Sequence, residues 1–172
     1  PLVLSAGEML LDIGPRGRLV LDGLVIAGGA LRLPAAADTE PRELVLRHCT
    51  LVPGQALDVL GAPVLPGAAS LVVEHPFARV TIEACIVGAL QLATDAEATI
   101  IDSIVDANAR TSVAIGGIAG AASAALTLRE CTVIGKVHAE MLTLVSNSLL
   151  LAERAAADAW PAPVWAARTQ EG

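Results

Sequence analysis

Six segments of the chain share one alternation of apolar and polar positions. They are LVLDGLVI from Leu19, LVLRHCTL from Leu44, VTIEACIV from Val80, ATIIDSIV from Ala98, LTLRECTV from Leu126 and LTLVSNSL from Leu142. Each reads apolar, outward, apolar, two corner residues, a small or thiol residue, outward, apolar. A period of two puts positions one and three on one face of a strand and position two on the other. Positions four and five turn a corner, after which positions six and eight point inward again. A third strand is predicted in most copies, at Leu31-x-Leu33, Leu71-x-Val73, Leu90-x-Leu92, Val113-x-Ile115 and Val137-x-Ala139. Upstream, Leu11-x-Ile13 fits the third strand of a copy whose start is barely present in PLVL.

Aligned on position six, the copies place Leu24, Cys49, Cys85, Ser103, Cys131 and Asn147 in one inward file. The interval between copies is not constant, unlike that of hexapeptide or leucine-rich repeats. A constant strand register with variable turns predicts an all-β chain, a right-handed parallel β-helix (solenoid) of about six to seven coils with irregular loop insertions. The insertions are expected at 52–69 and 107–112, between second and third strands, and at 34–43 and 116–125, after third strands. The two insertions leaving from the same side should pack on each other. ALDVL, inside 52–69, has the makings of a strand of its own. The helix is assigned to 1–151. Residues 152–172, with AERAAADAW at their start, read as a short C-terminal capping helix and tail of the same domain. Trp160 and Trp165 are then the apolar plug of the last coil, and Pro1 reads as a trimmed start.

Composition supports thin, regular core layers. The chain of 172 residues is 54% hydrophobic but only 2% aromatic, without tyrosine, so Leu, Val, Ile and Ala must fill the interior. The net charge of −7 and the scattered basic residues supply no patch for phosphate backbones, so no nucleic-acid partner is expected. The uncharged run 111–128 contains Gly116-x-x-x-Gly120 but is mostly small residues. It reads as a surface loop and not as a membrane span. A soluble chain, in a cytoplasmic or particle-associated assembly, is the corresponding expectation.

The three cysteines are candidates for chemistry. Cys49 and Cys85 lie on adjacent coils, and Cys131 two coils beyond Cys85, so buried free thiols are expected in preference to a bridge. No Cys-x-x-Cys or His spacing supports a metal, and no cofactor motif is visible. At corner position four, Asp22, Arg47 and Glu83 alternate in sign and suggest an exposed ion-pair ladder. At position five, Asp102 and Glu130 stack as like charges with Arg129 beside them. Such a pair is expected to raise the pKa of one member and has the elements of a glycosidic acid–base pair or a Ca²⁺ site. The plainer expectation is two carboxylates splayed into water. His48, His75 and His138 read as isolated.

Two outward files remain. Thr81, Thr99, Thr127 and Thr143 form a threonine file, as on any solvated strand. Ile86 and Ile104 should stack as an apolar patch beside outward Val72 and Ala114, covered by the 52–69 and 107–112 loops or else by another subunit.

LTLRECTVIG, VTIEACIVG and ATIIDSIVDA resemble coils of the pectate-lyase-like superfamily of right-handed parallel β-helices. RECTVIGKVHAEMLTLVSNSLLLA followed by DAWPAPVWAARTQEG looks like the β-helical region of bacterial proteins found with phage-tail-like contractile injection systems. The resemblance implies a fragment of a longer particle-associated chain and carries no assigned chemistry. Superfamily enzymes use clustered Asp, Arg or Lys; only Asp102, Glu130 and Arg129 come near that pattern. A non-enzymatic structural or binding module is therefore expected, with a polysaccharide-active enzyme as the alternative.

Overall fold

A computed structural model describes residues 2–4 and 7–168. The chain is nearly all β, and every ladder between its strands is parallel. Strands recur in threes, each pairing with the strand three further along. A first column holds Arg18–Asp22, Arg42–Arg47, Ala78–Glu83, Glu97–Ile101 and Ser123–Arg129. A second holds Leu2–Val3, Val25–Ala27, Thr50–Leu51, Ile86–Val87, Ile104–Asp106, Thr132–Ile134 and Leu149–Leu151. A third holds Glu8–Leu10, Ala30–Leu33, Ala69–Val73, Ala89–Leu92 and Val113–Gly116. Lys136–Ser146 runs from the third column into the first without a break. It thereby merges those two columns into one curled 12-stranded sheet beside the seven-stranded second column.

The core lies between the columns and follows the predicted alternation. Leu44, Leu46, Val80, Ile82, Ile100, Leu126 and Leu128 are buried from the first column; Ile26, Leu51, Val87, Val105 and Val133 are buried from the second. Leu31, Leu71, Leu90 and Ile115 stack from the third in direct register. The corner between the first and second columns explains the rest of the motif. Its fifth position is left-handed in every copy: Gly23 (φ 71°), His48 (49°), Ala84 (52°), Asp102 (47°), Glu130 (57°) and Asn147 (49°). The first five corner amides donate to a carbonyl on the next copy, Gly23 to Arg47 at 3.0 Å, His48 to Glu83 at 3.1 Å, Ala84 to Ile101 at 3.1 Å, Asp102 to Arg129 at 3.0 Å and Glu130 to Ser146 at 3.0 Å. Left-handed non-glycine residues cost about 1–3 kcal/mol each, and this continuous ladder holds them there.

Three registers differ from the sequence reading. A bulge pairs Leu126 with Leu142 but Thr127 with Leu144, so Thr143 is the extra residue. Every later residue of that copy moves by one: exposed Asn147 occupies the corner and Ser148 joins the inward file. Upstream, Met9 pairs with Leu31, so Met9 and Leu11, not Leu11 and Ile13, align with the next third strand. Ile115 pairs with Leu90, which leaves Val113 exposed and turns Ala114 into the interior.

The expected capping helix is also absent among the described residues. Residues 152–163 form turns, and Val164–Arg168 adds a last strand beside Lys136–Ser146. The helical stretch is too short to stand alone, Pro161 and Pro163 bar its extension, and Asp158 is drawn onto the sheet. Trp160 and Trp165 therefore stack on the outer face of the third column, while Val164 packs on the core in the place expected of a plug. Pro1 and residues 169–172 of the tail lie outside the described residues.

Within 52–69 the chain makes a small hairpin with a Leu57–Pro63 antiparallel bridge. Asp58 shapes it by accepting the Leu60 and Ala62 amides. The loop leans across Gly88 onto 107–112, where the Gly67 amide donates to Asn108 Oδ1 at 3.4 Å. The two same-side loops do meet. The uncharged run 111–128, expected as a surface loop, is mostly strand: only 111–112 and 117–122 lie outside Val113–Gly116 and Ser123–Arg129. No helix among the described residues is long and apolar enough to cross a membrane.

Candidate functional site

From the second copy on, position six of the motif sits inside the corner and its chemistry is fully used by the fold; Leu24, expected in the same file, is exposed at the open end of the stack. Cys49 Sγ donates to its own Arg47 carbonyl at 3.1 Å, Cys85 Sγ to Glu83 at 3.1 Å, Ser103 Oγ to Ile101 at 2.7 Å, Cys131 Sγ to Arg129 at 3.0 Å and Ser148 Oγ to Ser146 at 2.8 Å. Those carbonyls are the ones that accept the neighbouring corner amides, so each uses both lone pairs. The file residues also bond along the stack: the Cys49 amide donates to Cys85 Sγ, Cys85 to Ser103 Oγ and Cys131 to Ser148 Oγ. A small side chain that both donates and accepts is required, and Cys and Ser satisfy that. The three cysteines are free and buried. Burial pushes the Cys85 and Cys131 thiols above their ordinary value, so neither is a poised nucleophile.

The corner acids stand outside this file. Asp102, Glu130 and Arg129 are all exposed, and their side chains make no hydrogen bond or ion pair among the described residues. Asp102 and Glu130 border a wide, open depression with Ile86, Ile104 and Thr132. Of the expected ladder, Arg47 pairs with Glu83 at 3.1 Å, but Asp22 turns to His48 Nδ1 at 2.9 Å. Thr81, Thr99 and Thr127 lie in register, flanked by buried Val45 and by Leu144, because the bulge removes Thr143 from the file. Ile86 and Ile104 stay 44% and 39% exposed. The loops do not cover them, since 52–69 leans toward the third column; Val72 is half-buried and Ala114 fully buried.

That third column carries a polar groove at His138, which the sequence pattern reads as isolated. Its outward file runs Arg32, Val72, Gln91, Gly116, with His138 beside Gly116 and Trp165 paired to His138. Gly116 carries no side chain, which leaves a groove of about 490 Å³ between Gln91 and His138. Its walls are the 66–67 and 111–113 turns, the 117–121 loop, and Asp158 with Trp160 from the tail. Lys136 Nζ meets Asp158 Oδ1 at 2.5 Å, with side chains only 7% and 13% exposed. Asp158 also accepts the Ala155 amide at 2.8 Å. The Lys136 bond holds the Asp158 carboxyl below the usual carboxylate range. His138 is 2% exposed, its ring 4.5 Å from that of Trp160, which lies 4.7 Å from Trp165. His138 Nε2 is buried without a partner. Burial, then the nearby Lys136, pushes the imidazole below its ordinary value, with Asp158 opposing. Neither Lys136 nor Asp158 stood out in the sequence. The available signal was a lysine inside the apolar run 132–139 and both tryptophans in one tail.

A second polar cluster is structural. Arg42, buried, donates to the Ile13 carbonyl at 2.7 Å and forks onto Asp38 at 2.8 and 2.9 Å. It also meets His75 Nε2, which fastens the 34–41 loop to the stack. None of the three histidines is isolated. No group of three or more His, Cys, Asp or Glu side chains is placed to hold a metal ion among the described residues.

Comparison with protein-family models, with curated proteins and with solved structures finds no match to this chain.

Proposed function

We propose that the chain is a stretch of right-handed parallel β-helix acting as a rigid, non-enzymatic binding module within a larger particle- or injection-system-associated protein. The observation that carries this reading is the third-column groove, floored at Gly116 and walled by loops and the tail. The buried Lys136–Asp158 pair already neutralises its own charge, so a charged ligand would have to break it. Gln91, Ser112 and the uncharged His138 suit a neutral ligand whose hydroxyls both give and accept hydrogen bonds, such as a saccharide.

Trp160 lines this groove, Trp165 stacks on Trp160, and there is no tyrosine, so intrinsic emission reports on the groove and the stack behind it. Titration with cellohexaose, maltohexaose and tri-N-acetylchitotriose should give a saturable emission change with at least one of them, without release of reducing ends. Flat titrations with a folded protein would oppose the binding reading.

The alternative is a polysaccharide-active enzyme using Asp102 and Glu130 with Arg129. Their stacked placement beside an open depression favours it. Reducing-end release that disappears in both Asp102→Asn and Glu130→Gln would establish it in place of the first.

A further inference from the structure

The tail that walls the groove is held over a buried histidine. Residues 152–168 leave the second column, cross the 107–112 loop and return to the third column as its last strand. The Glu153 amide donates to the Arg110 carbonyl at 2.9 Å, and Val137 to that of Pro163 at 2.9 Å. Ion pairs join Arg110 to Glu153 at 3.1 Å, Lys136 to Asp158 at 2.5 Å and Arg168 to Glu140 at 2.5 Å. Only the Lys136–Asp158 pair is buried, so the exposed pairs add little and the strap depends on that pair and on the aromatic stack. His138 sits at one end of the stack, against Trp160, which in turn packs on Trp165, the residue paired with His138 on the last strand.

We propose that residues 152–168 form an acid-released strap: a proton taken up by His138, beside Lys136, lifts Trp160 and Trp165 off the sheet. The charged groups around His138 decide the direction. Lys136, two residues away, is a cation; Asp158 is already committed to Lys136 and to the Ala155 amide. Glu140, next along the strand, is committed to Arg168, and the neighbouring strand Val113–Gly116 brings no charged side chain. An imidazolium here has a like charge beside it and no uncommitted carboxylate, and its nearest way out is to displace the strap. Burial already favours the neutral ring. The strap is therefore firm above about pH 6.5, the ordinary histidine value, and loosens as pH falls below it. Asp158 stays ionised through that window, being held below the usual carboxylate range by Lys136.

Strap release stands on its own; that it dismantles a ligand site rests on the groove reading. Acrylamide quenching of tryptophan emission reads the strap, and oligosaccharide titration reads the groove. Between about pH 7.5 and about pH 5 the quenching constant should rise roughly two-fold or more, with unchanged far-ultraviolet circular dichroism. His138→Gln should remove that step. Asp158→Asn should give the high quenching constant at both pH values. A wild-type constant unchanged across the range, or a step retained in His138→Gln, would overturn the proposal. Should His138→Gln fail to fold, low quenching of Asp158→Asn at neutral pH would overturn it equally.

Discussion

The Cys85 amide donates to Ser103 Oγ at 3.0 Å, one coil along, while that hydroxyl donates to its own Ile101 carbonyl at 2.7 Å. One small side chain thus pairs an interior amide that would otherwise be orphaned and fills the second lone pair of a carbonyl that already accepts the Ala84 amide. Ser103→Ala removes both bonds and should cost about 1–3 kcal/mol in a urea titration. Cys131→Ser keeps the same donor and acceptor and should cost less than about 1 kcal/mol. Equal costs for the two would contradict the role assigned to the file.

The thiols should behave as structure and not as reagents. Titration under denaturing, non-reducing conditions should find all three free. In the native protein they should react slowly, because burial both hides Cys85 and Cys131 and holds them protonated. Fast native alkylation would show the corner to be open.

Ala84 holds a left-handed conformation at φ 52° with its side chain at the corner. Ala84→Gly should therefore stabilise the fold, by about 0.5–1 kcal/mol, since strain relief outweighs the added freedom of the unfolded chain. Ala84→Val should destabilise it by more than that. The reverse order would place Ala84 outside the corner.

Asp38 supplies a separate acid dependence. The Arg42 guanidinium lowers its pKa to about 2. A carboxyl lower in the folded than in the unfolded chain stabilises fully above about pH 4, and that contribution is lost as pH falls toward about 2. Asp38→Asn should flatten the stability profile in that window; an unchanged slope would show that the Arg42 fork does not form in solution.

The legible part of this fold is the part that repeats. Five copies carry a small donor, Cys or Ser, or a leucine at position six, and their strands stack as the alternation requires. The sixth copy departs from the pattern because Asn147 resembles a file residue and nothing in LTLVSNSL marks Thr143 as a bulge. The tail departs from its helical pattern because helix propensity is local, whereas the Lys136–Asp158 pair spans 22 residues. The groove was illegible for a related reason: its floor is a missing side chain at Gly116, and its walls come from loops whose directions no periodicity encodes. The corner acids Asp102 and Glu130 follow in-register Ile101 and Arg129 and are both exposed, as the plainer expectation has it.

The in-register interior file carries everything else, and nuclear Overhauser contacts read it directly. Ser103 should show contacts to both Cys85 and Cys131, and Cys85 should show none to Cys131, roughly 9.6 Å away at two strand spacings. Contacts between Cys85 and Cys131, or none from Ser103 to either, would contradict the stack.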